Sequence, residues 1–290
     1  MRVPYYPGCT LSTQARGYDR SGRAVAAALG LVLEELPDWQ CCGATFPLTL
    51  DDSMALIAPT RVLCQAQAAG ERVVALCAIC FHVLRRSQAL LRRDPAMLER
   101  INWFIEDEYR GTVQVAHLLE LLRDEVGWEQ VAERVTRPLA GLRVAPYYGC
   151  LLLRPYDEIG LDDPEAPTIL HDLLRALGAE PVDFPYAIEC CGAYLTTRSP
   201  RISATLAEEI LASARECGAQ AIATACPLCQ FNLDYPQRAE AAARTGSELP
   251  VLYFTQLMAV ALGLPEEEWG LEGHYVDPRP VLTGLEHECA

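Results

Sequence analysis

The sequence predicts an α/β protein built as an internal duplication. Each half is a small parallel sheet flanked by helices, and the halves are related by a pseudo-twofold. Three observations predict this. Ten of the thirteen cysteines form two matching series, Cys9, Cys41, Cys42, Cys77, Cys80 and Cys150, Cys190, Cys191, Cys226, Cys229. The step from 42 to 77 and the step from 191 to 226 are each 35 positions. The flanking segments match in the same order: PYYPGC with PYYGC, AALGL with RALGA, QCCGA with ECCGA, LCAIC with ACPLC. One match would be chance, but four in register signal a repeat. Finally, strand-like runs alternate with runs of helical periodicity, the pattern of a parallel sheet with crossover helices.

The elements follow in pairs. VPYY (3–6) and VAPYY (144–148) are short buried strands leading into the first cysteine of each half. RAVAAALG (23–30) and TILHDLLRALG (168–178) carry apolar residues at helical spacing and end on glycine, a helix stop. LVLEEL (31–36) and AEPVDF (179–184) are the next strands. MALIAPTRVLCQAQAAG (54–70) and ATLAEEILASARECG (204–218) are second helices, again closed by glycine. RVVALC (72–77) and AIATAC (221–226) are strands that run into the CxxC, and a helix follows each. Residues 85–140 are expected to be mainly helical and to join the halves, giving units 1–140 and 141–290. The first gap of the series differs, at 32 positions from 9 to 41 and 40 from 150 to 190. The acidic, proline-rich stretch 155–167, expected as a loop, accounts for the difference.

With 51% apolar residues, a packed core is expected and disorder is not. The net charge of −15 argues against nucleic acid or anionic lipid as the main partner. Every cation is an arginine. No apolar run is long enough for a membrane span, and MRVPYYPGCTLS lacks a signal-peptide core. The expected location is cytoplasmic, where thirteen cysteines serve metal ligation or thiol chemistry better than structural disulfides.

Five cysteines per half are one more than a tetrahedral zinc site or a cubane iron–sulfur cluster takes. Adjacent cysteines can meet different metals of one cluster, or one thiolate can bridge two. Gly43 and Gly192 after each pair allow a positive φ or a close approach to a cluster. A lone buried cysteine behaves as a small hydrophobe, but ten in two matched series do not fit that description. Cys64, Cys217 and Cys289 have no counterparts and are expected as ordinary thiols.

Together these motifs resemble the CCG domain, and two copies resemble the B subunit of heterodisulfide reductase. YYPGCTL (5–11), DWQCCGA (38–44), ACPLCQFNLD (225–234) and PVLYFTQLMAVALGL (250–264) carry the likeness over roughly residues 3–276. The resemblance implies two noncubane [4Fe-4S] clusters. Cys9, Cys41, Cys42, Cys77 and Cys80 would hold one, and Cys150, Cys190, Cys191, Cys226 and Cys229 the other, with zinc in one site as an alternative. It implies a disulfide or thiol substrate lying between the clusters, with one electron from each. It also implies two partners within a heterodisulfide-reductase-like complex: the cubane iron–sulfur C subunit of the family and its flavin-containing A subunit. Relatives in sulfur oxidisers are thought to run the chemistry oxidatively on protein-bound sulfur. The competing expectation is an electron-relay subunit of a flavin-dependent dehydrogenase complex, and a third is a zinc-binding assembly module.

Beyond the cysteines, His82 and His274 are candidates for hydrogen bonding to a cluster or substrate, and Phe231 stands where His82 does in the first half. Gln230 and Asn232 are candidates for substrate contact or plain helix positions. Tyr5, Tyr6, Tyr147 and Tyr148 are expected to pack the sheet edge. His117 and His171 are expected on apolar helices, and His287 in the tail. RRSQALLRR (85–93) is either a solvated face or a docking patch.

Overall fold

The computed structural model describes residues 1–44, 53–240 and 248–284. The first half runs β1 (Arg2–Tyr5), α1 (Gly8–Ser12), α2 (Arg16–Ala28), β2 (Val32–Glu35), α3 (Ile57–Ala69), β3 (Arg72–Ala75), α4 (Ala78–Arg93), α5 (Pro95–Ile105), β4 (Gln114–His117), α6 (Leu118–Leu121) and α7 (Trp128–Glu133). The second runs β5 (Arg143–Tyr147), α8 (Tyr156–Ile159), α9 (Ile169–Ala176), β6 (Glu180–Pro181), α10 (Pro200–Glu216), β7 (Ala221–Thr224), α11 (Pro227–Asp234), α12 (Gln237–Glu240), β8 (Val251–Tyr253), α13 (Phe254–Ala261) and α14 (Arg279–Thr283).

Two parallel four-stranded sheets result, ordered β2-β1-β3-β4 and β6-β5-β7-β8. Burial explains the order. Every residue of β7 is buried, as is all of β3 except Arg72, as central parallel strands require. In β2 only Leu33 is buried, which suits an edge. In both sheets the strand order reverses beside the first strand, between β1 and β3 and between β5 and β7. That switch point opens a crevice at the carboxyl ends of the strands.

The duplicated α/β architecture is as expected, with local corrections. Each sheet has a fourth strand, β4 or β8, that the repeat did not show, so 85–140 is not purely helical. His117, expected on a helix, ends β4 and caps α6, accepting from Leu119 N at 3.2 Å, while Glu120 accepts from His117 N at 2.8 Å. Tyr253 holds the same place on β8, with Gln256 accepting from its amide at 2.9 Å. AEPVDF contributes only the two-residue β6, and the 155–167 loop contains α8. Three of the arginines of 85–93 are engaged within the fold, while Arg92 and much of Arg93 stay exposed. Arg86 and Arg93 hold Glu158 of the second half at 2.5 and 2.8 Å, and Arg85 bonds Val115 O and Glu120.

The halves meet through the turns after β3 and β7. Ala78 N donates to Ala225 O at 3.1 Å. Helix α2 packs on α13, with Ser21 Oγ 2.7 Å from Thr255 Oγ1. Nearby, Gly17 and Gly270 touch backbone to backbone, and a Cβ on Gly17 would overlap the Gly270 carbonyl. Neither side can yield by changing a rotamer. Gly17→Ala is therefore expected to cost about 1–3 kcal/mol, as overpacking does, read as a lower urea midpoint at unchanged m.

Candidate metal centre

Each strand that ends at the crevice delivers its cysteines there. Cys9 follows β1, Cys41 and Cys42 follow β2, and Cys77 and Cys80 follow β3; the second half repeats the arrangement after β5, β6 and β7. Cys77 is the N-cap of α4 and Cys226 of α11, so the positive ends of two helix dipoles point at the sites and favour thiolates.

The sulfurs pair in the same way in both halves. Cys9 Sγ lies 3.6 Å from Cys41 Sγ, and Cys42 Sγ 3.7 Å from Cys80 Sγ. Cys150 Sγ lies 3.8 Å from Cys190 Sγ, and Cys191 Sγ 3.3 Å from Cys229 Sγ. All five cysteines of the second half line one cavity, whose wall includes Ala78 and Ile79 at the start of α4. The first half thus forms part of the second site. Cys9, Cys41 and Cys190 are exposed, while Cys42, Cys77, Cys80, Cys191, Cys226 and Cys229 are buried.

The supports are also duplicated. Tyr6 Oη donates to Gln40 O at 2.8 Å and Tyr147 Oη to Glu189 O at 2.7 Å, each tying the first strand to the residue before the cysteine pair. Gly43 N donates to Cys41 Sγ and Gly192 N to Cys190 Sγ, both at 3.4 Å. These amides turn inward because φ is +90° and +73°, which a side chain resists. Gly8 and Gly149 make room for the last cysteine: a Cβ would stand 2.7 Å from Cys80 Sγ in one and 3.2 Å from Cys229 Sγ in the other. Gly8→Ala is therefore expected to weaken metal binding at the first site by about 10–100-fold, the scale of a lost supporting contact. Gly149→Ala has more room and should weaken the second site less. Competition with a chelator measures both.

Proton sharing splits the thiols. A hydrogen bond from Cys80 holds Cys42 down to about 7, and one from Cys150 holds Cys190 down to about 6. Burial pushes Cys41 up to about 11. Cys80, Cys150 and Cys229 are raised by the partners that share their protons.

The remaining candidates lie around this centre. His82 is buried, with Nδ1 3.0 Å from Leu151 O, beside Cys150; burial lowers its pKa to about 4. It ties the halves together. His274 is held by Gln256 at 3.1 Å and Gln230 at 3.3 Å. Gln230 Nε2 also donates to Asp234 at 2.8 Å, and the amides of Tyr275 and Val276 donate to the same carboxyl. Asn232 donates to Cys191 O and Ser203 Oγ, both at 2.9 Å, bracing the cysteine pair from behind. Tyr5 Oη bonds Asp19, and Tyr148 Oη bonds His171 and Pro167 O, so neither hydroxyl is free. Phe231 stacks with Tyr235. Cys64 is buried in α3, Cys217 is exposed at the end of α10, and Cys289 and His287 lie outside the described residues.

Sequence reasoning missed Tyr18 and Tyr253 and gave His117 no place at the junction; the three meet where the halves join. The only signal was the repeated capping pattern, His117 with Glu120 and Tyr253 with Gln256.

The cysteine-rich CCG domain matches twice, at residues 3–85 and 144–234. The chain is 34% identical over 277 residues to the 8-methylmenaquinol:fumarate reductase membrane anchor subunit of Wolinella succinogenes, covering 94% of this chain and 96% of that one. It is 31% identical over 291 residues to the B subunit of the ferredoxin/F(420)H(2)-dependent CoB-CoM heterodisulfide reductase of Methanosarcina acetivorans, covering 98% and 97%. Among solved structures, a hypothetical protein from Helicobacter pylori superposes with a TM-score of 0.74 at 13% identity, over 94% of this chain and 51% of that longer one, a likeness of fold alone. The two domain matches and the full-length likeness to the heterodisulfide reductase subunit therefore make this chain a member of the heterodisulfide reductase B-subunit family, built from two CCG domains.

Proposed function

We propose that this chain is an iron–sulfur redox subunit of a larger oxidoreductase complex, and that it cleaves or forms a disulfide between two five-cysteine sites. The supporting observation is the shared wall: Ala78 and Ile79, inside the first CxxC, line the cavity of the second site. The ligand sets proposed are Cys9, Cys41, Cys42, Cys77, Cys80 and Cys150, Cys190, Cys191, Cys226, Cys229, with the division between units at 140/141.

The donor set fits a polynuclear cluster. Five thiols per site exceed the four of a single tetrahedral metal. Among the described residues, no group of three or more His, Cys, Asp or Glu is arranged to hold one metal ion; the sulfurs stand in pairs. The inward amides of Gly43 and Gly192 are ready donors to sulfur. A noncubane [4Fe-4S] cluster at each site would supply one electron to a disulfide held between them.

The chain's own residues do the rest. The N-termini of α4 and α11 stabilise thiolate charge, and buried Cys80 and Cys229 keep the inner side of each site dry. The exposed Cys9, Cys41 and Cys190 leave the outer side open to a sulfur substrate. Tyr194 Oη donates to Ala44 O at 2.6 Å, a strap between the two cysteine-pair loops. The partners proposed to exchange electrons with it are a flavoprotein and a carrier of cubane iron–sulfur clusters. Among the described residues no helix is long and apolar enough to cross a membrane.

The fumarate reductase relative favours a second reading, an electron-relay subunit of a flavin-dependent dehydrogenase complex that never touches sulfur substrate. Anaerobic purification with iron, sulfide and zinc analysis separates the cases, followed by electron paramagnetic resonance after thiol oxidation. About eight irons per chain, four per cluster, with a thiol-sensitive signal supports disulfide chemistry. The same iron without thiol sensitivity supports the relay. About four irons plus one zinc rules out paired one-electron action.

A further inference from the structure

Two backbone carbonyls stand directly before the CxxC motifs, Leu76 O before Cys77 and Ala225 O before Cys226. Both accept from the same side chain. Tyr18 of α2 is fully buried, and its hydroxyl lies 2.6 Å from Leu76 O and 3.3 Å from Ala225 O. A phenol has one proton to give, so the shorter bond is the main one and the longer a second acceptor of the same proton. The carbonyls hold further donors. His117 Nε2 lies 2.7 Å from Leu76 O, and Ala78 N donates to Ala225 O at 3.1 Å. A continuous chain of hydrogen bonds thus runs from one CxxC turn to the other.

The ring is fixed as firmly as the hydroxyl. Tyr18 stacks on Tyr253 with centroids 4.0 Å apart and planes 1° from parallel, and Phe254 meets it edge-on at 6.0 Å. Tyr253 belongs to the second half, so the stack crosses the same boundary. Seated between elements of both halves, Tyr18 cannot turn its hydroxyl to another acceptor without opening the junction.

We propose that Tyr18 is a positioning residue shared by both cysteine sites: its hydroxyl fixes the two CxxC turns against each other and so tunes the potentials of both bound clusters together. Hydrogen bonding and burial around a cluster are the protein's levers on its potential, and one buried donor reaching both turns acts on both sites. The proposal rests on the iron–sulfur function proposed above.

The test uses the full chain reconstituted anaerobically with iron and sulfide, and a redox titration followed by electron paramagnetic resonance. Cys80→Ser and Cys229→Ser each leave one site intact, which assigns every signal to a half. Tyr18→Phe is then introduced into both backgrounds. The expected result is a shift of the remaining midpoint potential in both, with iron content equal to that of the parent variant. A purely packing role would leave both midpoints in place, and a shift in one background alone would also overturn the proposal. If Tyr18→Phe lowers iron content or fails to fold, 3-fluorotyrosine at position 18 replaces it. That more acidic phenol donates more strongly and should move both midpoints opposite to the loss of the hydroxyl; unmoved midpoints overturn the proposal. A wild-type chain that takes up no iron overturns the iron–sulfur function and this inference with it. Intact clusters that ignore position 18 overturn the inference alone.

Discussion

Cys229→Ser is expected to lower bound iron from about eight to about four per chain, one cluster's worth, and to abolish disulfide turnover rather than halve it. Cys229 is buried, and its Sγ sits 3.3 Å from Cys191 Sγ. A serine oxygen is a poorer ligand for iron than a thiolate, and the enclosed site offers no replacement. Cys80→Ser should do the same to the first site. If two sites each deliver one electron, losing either stops the reaction, and a fall of more than about 100-fold is expected. Iron analysis beside a disulfide-reduction assay checks it. Half the iron with half the activity would mean that the sites act independently.

Acid is expected to destabilise the metal-free chain steeply below pH 6.5. Burial lowers His82, His117 and His274 to about 4 each. A base whose folded pKa is depressed stays neutral in the fold while the unfolded chain takes up the proton. Its stabilisation is present above the unfolded pKa of about 6.5 and is lost as pH falls towards 4. At 1.36 kcal/mol per unit, the upper bound is about 3 kcal/mol for each histidine. Asp234 opposes the trend, since burial raises its carboxyl pKa and its neutral form is favoured as pH falls. His274 lies 3.8 Å from that carboxyl, which makes it a less clean probe. The clean probe is His117, which faces Leu76 O, Phe81, Phe254 and the Glu120 cap. His117→Gln keeps a donor for Leu76 O but cannot take up the proton. It should remove about a third of the loss in urea midpoint between pH 7 and 4.5. An unchanged acid limb would show that His117 does not contribute to it.

The repeat was legible because cysteine spacing is a one-dimensional property that survives divergence around it. The helices were legible from apolar periodicity, and β3 and β7 from short apolar runs between glycine and CxxC. Strands β4 and β8 were not, because neither leads into a cysteine of the repeated series that would mark its end. Pairing beside β3 and β7 defines them, and that pairing is long-range. The partner of Arg86 and Arg93 was hidden for the same reason: Glu158 lies some seventy positions away, within the acidic stretch 155–167. The cysteines of each half were legible as a group, since each follows a strand and strand ends share an edge. The junction between halves was not. Tyr18 sits 58 positions from one of its acceptors and 207 from the other, and nothing local in SGRAV or RGYDR marks it.

The strand-end residues His117 and Tyr253 occupy matching places, yet one is an imidazole bonded to Leu76 O and the other a phenol stacked on Tyr18. Two identical copies of one half, assembled about a true twofold, would have to present the same residue at both places. Joining the copies in one polypeptide released that constraint, so the sites became neighbours with unlike environments. Symmetry built the pair, and its loss at this boundary leaves the two sites with unlike surroundings.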